Sequence, residues 1–261
     1  MGLITGGILV SLVTAVVAGA LVLVVQKYSP TERHDGYVDA IGMVFAVVGV
    51  LYAIVLAFVV LDVWEHMTSA RADTYAEATS LIEVYQYAEG QPDDVRAQIQ
   101  GAVRDYNARV IRDEWPMMAL AQPVPLDDWV TLDRIGSLVE ETAPGMIATD
   151  ASVDEYRDVS ASVGAISTAR QDRLAAASRG LPAVMWFLLI GGGLLTVAFA
   201  YLFDIAGTVP QIIFTVGLTM MVVLLLYAVY QLEFPFSRAE RIGPDAFDYA
   251  RLRFDQIRQG G

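Results

Sequence analysis

The chain has 261 residues, 55% of them apolar, and a formal net charge of −13 from 17 basic and 30 acidic side chains. That acidity argues against nucleic acid or an anionic lipid surface as the main partner, because both demand a basic excess. Cysteine is absent, which excludes disulfides, thiolate metal sites and a cysteine nucleophile.

The apolar residues fall mainly in four windows, 1–25, 40–61, 181–203 and 205–232, none of which contains Asp, Glu, Lys, Arg or His. Each is longer than the roughly 18 residues that mark a membrane-spanning candidate. The first window has an alternative reading as a signal peptide, since Ala18-Gly19-Ala20 resembles a cleavage site. No charge precedes it and the run continues to Val25, so a transmembrane helix is the reading adopted. The chain is therefore expected to be an all-α, polytopic membrane protein with four transmembrane helices and a cytoplasmic helical bundle inserted between spans two and three. Its expected segments are a first transmembrane hairpin (1–61), a helical domain (62–180), a second hairpin (181–232) and a C-terminal tail (233–261).

Between the first two spans lies a short loop that holds Lys27, Arg33 and His34. Span two then passes without Gly or Pro from Val50 to Glu89, so a single helix is predicted to leave the membrane without stopping, until Gly90-Gln91-Pro92 ends it. A second cytoplasmic helix is predicted to start at Asp93-Asp94 and to reach Asp113-Glu114-Trp115, with Pro116 ending it. A shorter helix opens at Asp127-Asp128 and closes at Thr142-Ala143-Pro144-Gly145. A long one runs from about Ser152 to Arg179, and Gly180-Leu181-Pro182 returns the chain to the membrane. Asp204 marks the turn between spans three and four. After span four come Glu233-Phe234-Pro235-Phe236 and an amphipathic stretch whose Phe247, Ala250, Phe254 and Ile257 share one helical face. That face is expected to dock on the helical domain, with an interfacial membrane helix as the rival reading.

Of the 17 basic residues only Lys27 and Arg33 lie on the side of the membrane opposite the termini. The positive-inside rule places both termini and the 62–180 domain in the cytoplasm, chiefly through Arg238, Arg241, Arg251, Arg253 and Arg258 of the tail.

Several motifs are similar to those of the bacterial bestrophin-like family of membrane proteins. They are Trp64-Glu65 after span two, then Ala70-Arg71, Glu77-Ala78, Leu81 and Tyr85; Asp113-Glu114-Trp115-Pro116; Leu181-Pro182 with Trp186; and Pro235-Phe236 followed by Gly243-Pro244 and Phe247. The resemblance covers the chain from span two onward. It implies a multi-pass, helical, homo-oligomeric protein of the bacterial inner membrane, related to the bestrophin ion channels. No counterpart of the Ile-Pro-Phe neck motif of many bestrophins is present, and no acidic cluster matches a calcium-clasp pattern.

On a helical wheel of span two at 100° per residue, Gly42, Ala46, Gly49, Ala53 and Ala57 lie within about 40° of the direction opposite Asp62. Small residues let helices approach closely, so this stripe reads as a packing seam, with a pore wall as the alternative. The other face carries Val44, Val48, Leu51, Val55 and Phe58, and continues through Asp62, Glu65, His66, Ser69, Asp73, Glu77 and Ser80. Around a symmetry axis, Val48, Leu51 and Val55 would form a constriction that gates by dewetting, and Asp62, Glu65 and Asp73 a vestibule that attracts inorganic cations. The alternative is a face that meets lipid inside the bilayer and water outside it, which produces the same switch with no pore. Tyr52, Gln211 and Gln231 are further polar candidates that either line a pathway or bond across helices.

Nothing points to catalysis, a cofactor or a metal. The two histidines, His34 and His66, fall on opposite sides of the membrane and lack zinc spacing. Asp150, Asp154, Glu155 and Asp158 sit at a helix start, where acids favour the dipole. Gly191-Gly192-Gly193 lies inside a span and is a hinge or close-packing point rather than a phosphate loop. Two classes of function remain: an oligomeric ion channel with span two lining its pathway, and a membrane-anchored helical scaffold without conduction. A carrier ranks below both, because paired, Gly/Pro-broken spans are missing.

Overall fold

The computed structural model describes residues 3–28, 38–125, 128–144, 149–202 and 208–260. Arg33, His34, Asp127, Gly145 and Asp204, on which several expectations above fall, lie outside the described residues. Among the described residues every regular element is helical. In chain order they are α1 (Leu3–Tyr28), α2 (Val38–Tyr87), α3 (Asp93–Arg109), α4 (Trp115–Ala119), α5 (Asp128–Glu140), α6 (Asp150–Ser178), α7 (Ala183–Leu202), α8 (Thr208–Leu232) and α9 (Asp245–Gly260). Four of them, α1, α2, α7 and α8, are long and apolar enough to cross a membrane.

The chain divides into two compact units, one built from residues 1–65 and 180–233, the other from 66–179 and 234–261. In the first unit α1 and α7 both pack on α8. A buried cluster of Tyr52, Leu56, Val59 and Val63 from α2, Leu189 from α7, and Val222 and Val229 from α8 ties the other three spans together. The rest of the apolar surface stays outward: Leu12, Leu51, Phe58, Phe187 and Ile213 are all exposed. Apolar exposure on this scale suits hydrocarbon rather than water as the surrounding medium.

α2 is the element the sequence describes best. Its 50 residues span about 75 Å at 1.5 Å per residue, and a single 3-10 turn, Ala88–Gly90, closes it before the chain turns at Gln91-Pro92.

The second unit is a helical bundle around Leu81, Tyr85, Ile99, Val103, Tyr106, Trp115, Met118, Leu132 and Ile135. Thr149 caps α6, its hydroxyl oxygen accepting from the Ser152 amide at 3.3 Å, and Asp150 adds the negative charge that favours a helix start. Of the amphipathic tail helix, Phe247, Ala250 and Phe254 are fully buried. Phe254 stacks on Tyr85 with ring centroids 4.5 Å apart. The docking reading of that face therefore holds within this unit, as its apolar side chains have a core to enter.

One expected boundary differs. Helix α3 does not stop at Pro116; residues Val110–Glu114 form a π turn that runs directly into α4. A proline inside a regular helix clashes with the carbonyl four residues earlier. Here that residue is Arg112, inside the π turn, and Pro116 sits in the first turn of the next helical segment, where a proline is tolerated. α4 then ends in a Schellman motif: Gln122 N–H donates to the Met117 carbonyl at 2.8 Å and Ala121 N–H to that of Met118 at 3.0 Å. Ala121 takes the left-handed conformation, φ 53°, that this motif requires.

Candidate functional site

The two faces of span two carry the predicted pathway. Taking Asp62 as zero on the wheel, the buried residues Tyr52, Leu56, Val59 and Val63 point between about 60° and 120°. That direction lies between the two predicted stripes. Neither stripe is thus the packing face of α2 inside the chain. On the small-residue stripe, Gly42 and Gly49 are half-buried, Ala46, Ala53 and Ala57 are exposed, and a methyl group added at Gly49 would meet no atom within 4 Å. On the other stripe, Val48 is half-buried, whereas Leu51 and Phe58 are 59% and 69% exposed and Val55 is 37% exposed.

The acidic continuation of that stripe splits in two. Asp62 and Glu65 are exposed and Asp73 is half-buried. Glu77 and Ser80, read from the sequence as more of the same stripe, are buried inside the helical unit. The wheel is right about their direction; what changes is the surroundings, since this part of α2 belongs to the core of the second unit.

Glu77 enters a charged cluster that sequence reasoning did not assemble. Arg173 from α6 donates from Nε to Glu77 Oε2 at 2.7 Å and from Nη2 to Glu77 Oε1 at 3.0 Å. The same Nη2 reaches Glu114 Oε2 at 2.8 Å, and Arg170, one turn earlier on α6, pairs with Glu114 Oε1. Tyr106 from α3 donates its hydroxyl to Glu77 Oε1 at 2.6 Å and accepts from Arg170 Nη1 at 3.3 Å. Glu77, Tyr106, Arg170 and Arg173 are 0% exposed and Glu114 1%. Two guanidinium groups face two carboxylates, so the formal charge sums to zero. Isolated charges in such a place would cost many kcal/mol; paired and hydrogen-bonded ones are tolerated.

The π turn belongs to this arrangement, because Glu114 is its last residue. Burial holds the Tyr106 phenol well above its ordinary pKa, and the neighbouring Glu77 carboxylate adds to the effect. Burial opposes the charge on Arg173, but Glu77 and then Glu114 outweigh it and hold the guanidinium above its usual value. The signal that would have found the cluster was Arg170 and Arg173 at i,i+3 on a helix rich in Ala, Ser and Val.

The remaining motif residues build two joints. In the second unit Trp115 donates from Nε1 to the Ile242 carbonyl at 3.3 Å and meets Phe236 and Phe247 edge-on, with ring centroids 5.6 and 5.7 Å away. The Arg173 guanidinium lies 5.6 Å from the Trp115 ring, and Pro235 and Phe236 are buried. In the first unit Glu233, 7% exposed, accepts through Oε1 from the Leu181 amide at 3.0 Å and from Trp186 Nε1 at 3.1 Å. This carboxylate ties the end of α8 to the start of α7. Pro182, Arg71 and Pro116 are exposed, as is Trp64 at 61%.

Tyr52 does not face the predicted pathway. Its ring fills a notch in α7, where a methyl group on Gly192 would lie 2.5 Å from Cδ2 and one on Gly193 2.9 Å from the hydroxyl oxygen. Gly192 and Gly193 therefore serve close packing. Among the described residues no group of three or more His, Cys, Asp or Glu side chains is arranged to hold a metal ion.

Four apolar spans and a helical unit with a buried ionic centre define a polytopic α-helical membrane protein. The sequence pattern of the Bestrophin-like domain matches residues 12–247, and the chain belongs to the bestrophin-like family. Three crystal structures share the fold at low identity. Two are of a bacterial bestrophin homologue from Klebsiella pneumoniae, each carrying a point mutation. One is 13% identical with a TM-score of 0.70, covering 96% of this chain and 98% of that one. The other is 13% identical with a TM-score of 0.68, covering 97% and 98%. A third, described as a membrane protein, is 12% identical with a TM-score of 0.69 and covers 97% and 98%. No curated protein matches the chain.

Proposed function

We propose that this protein is an oligomeric ion channel of the bacterial inner membrane, with span two of each subunit lining a common pathway. The observation that carries the reading is that, within its membrane span, α2 packs inside its own chain through neither of its two patterned faces. A seam of Gly42, Ala46, Gly49, Ala53 and Ala57 suits close approach by a neighbouring subunit, and Val48, Leu51 and Val55 then face the axis as a constriction that closes by dewetting. Beyond them Asp62, Glu65 and Asp73 enrich cations at the mouth, so the pathway is cation-preferring. The vestibule ends at Asp73, because the carboxylate of Glu77 is taken by Arg173.

The termini and the helical unit face the cytoplasm, on the distribution of arginine. Because α2 has no break between span and helical unit, a displacement of its cytoplasmic half moves the constriction, as a rigid element does in a hinged or rotating assembly. Membership of the family and the shared fold of the bestrophin homologue structures support a channel.

Neutralising both mouth carboxylates in an Asp62→Asn, Glu65→Gln variant is the test. Reconstituted in vesicles, it should conduct with reduced cation preference. Unchanged selectivity would remove both residues from the pathway, and absence of flux from the unaltered protein would leave the membrane-anchored scaffold as the better reading.

A further inference from the structure

Most arginines of the helical unit are spent on carboxylates of their own chain: Arg96 on Asp93, Arg112 on Asp113, Arg157 on Asp154, and Arg170 and Arg173 in the buried centre. Arg134 on α5 is different. It has no hydrogen-bond or ion-pair partner among the described residues, although the chain carries 30 acidic side chains. It lines a groove of about 790 Å³ between α3 and α5, opposite Arg109. Arg109 is fixed there by Asp105, whose Oδ2 accepts from Nε at 3.0 Å. Its described lining holds two guanidinium groups and one carboxylate, on a protein whose net charge is −13.

Two neutral groups add hydrogen-bonding capacity to the same walls. Gln98 and Thr131 both line the groove. Thr131 is 8% exposed as a residue. Space is kept open by Gly101, where an added methyl group would meet nothing within 4 Å. The volume lies in the range of small-molecule sites, about 300–1,000 Å³.

We infer that this groove binds a small phosphate-bearing solute, held between Arg134 and Arg109 with Thr131 and Gln98 donating to its remaining oxygens. Guanidinium forks match the geometry of phosphate oxygens, and a phosphate ester or diphosphate has enough acceptors to use four donor side chains from two helices. None of these six residues is among those assigned to the ion pathway above.

The probe is inorganic pyrophosphate, titrated calorimetrically into the full-length protein in detergent micelles, with ionic strength held constant by sodium chloride. Saturable binding is expected. Arg134→Gln should weaken it by at least about tenfold, the loss of one charge-assisted bond, without moving the melting temperature of the unliganded protein, because Arg134 makes no hydrogen bond or ion pair among the described residues. Gly101→Leu, which fills the open floor, should weaken binding as well. No saturable heat from the unaltered protein, or an Arg134→Gln variant of unchanged affinity, would overturn the assignment.

Discussion

Arg173 grips Glu77 with a two-pronged fork, Nε to Oε2 at 2.7 Å and Nη2 to Oε1 at 3.0 Å, with both side chains completely buried. The pair joins α6 to the C-terminal half of the long helix α2. Removing one partner leaves a buried charge without compensation, which costs about 3–5 kcal/mol. Arg173→Met should therefore lower the melting temperature of the purified protein sharply and expose the helical unit to protease. Arg173→Lys should not rescue it, because an ammonium group cannot reproduce the planar fork. A melting temperature within a degree or two of the unaltered protein would show that the pair is not structural.

The same cluster predicts an alkaline signature. The folded Tyr106 phenol titrates above its ordinary value, first through burial and then through Glu77, whereas an unfolded tyrosine ionises near about 10. Below that pH the folded and unfolded chains both hold the proton and the stabilisation is complete; as the pH rises past it, the unfolded chain releases the proton and stability falls. Tyr106→Phe should be less stable at pH 7–9, by the roughly 1.5–3 kcal/mol of a hydrogen bond to a charged group. Its stability should also decline less steeply than that of the unaltered protein between pH 10 and 11. Parallel melting curves across that interval would contradict the assignment.

Inside the membrane the Tyr52 notch makes a steric prediction. Gly192→Ala places a methyl group 2.5 Å from the Tyr52 ring, and overpacking of this kind costs about 1–3 kcal/mol. Tyr52→Leu should remove the clash, so the double variant should melt above the sum of the two single effects. Strict additivity would mean that the two helices separate rather than press together there.

A gain in stability is available at Ala121. Its left-handed backbone, φ 53°, costs an L-residue roughly 1 kcal/mol that glycine does not pay. Ala121→Gly should raise the stability of the helical unit by about that amount in a denaturant titration; a loss would mean that α4 ends in another conformation.

How far the sequence leads can be seen residue by residue. The spans are legible because four windows exclude every charge, and the reach of α2 is legible because Gly and Pro are missing from Val50 to Glu89. The docking of α9 follows from the spacing of Phe247, Ala250 and Phe254. The ionic centre was hidden by the rule that charges lie outside: Glu77 has the right direction for the acidic stripe, and only the third dimension brings Arg173 onto it. The π turn was hidden for another reason. An extra residue in a helical turn leaves no mark on composition, and Pro116 reads as a stop until the widened turn ahead of it is known.

If span two lines an ion pathway, Val55 is the position at which a substitution changes the current. Current should be recorded across planar bilayers containing the purified protein under a potassium chloride gradient, beside a Val55→Asp variant, with both confirmed as intact oligomers. A carboxylate in a dewetting constriction admits water, so conductance with a cation-directed reversal potential, enlarged by the substitution, is expected. Silence from both proteins would contradict it.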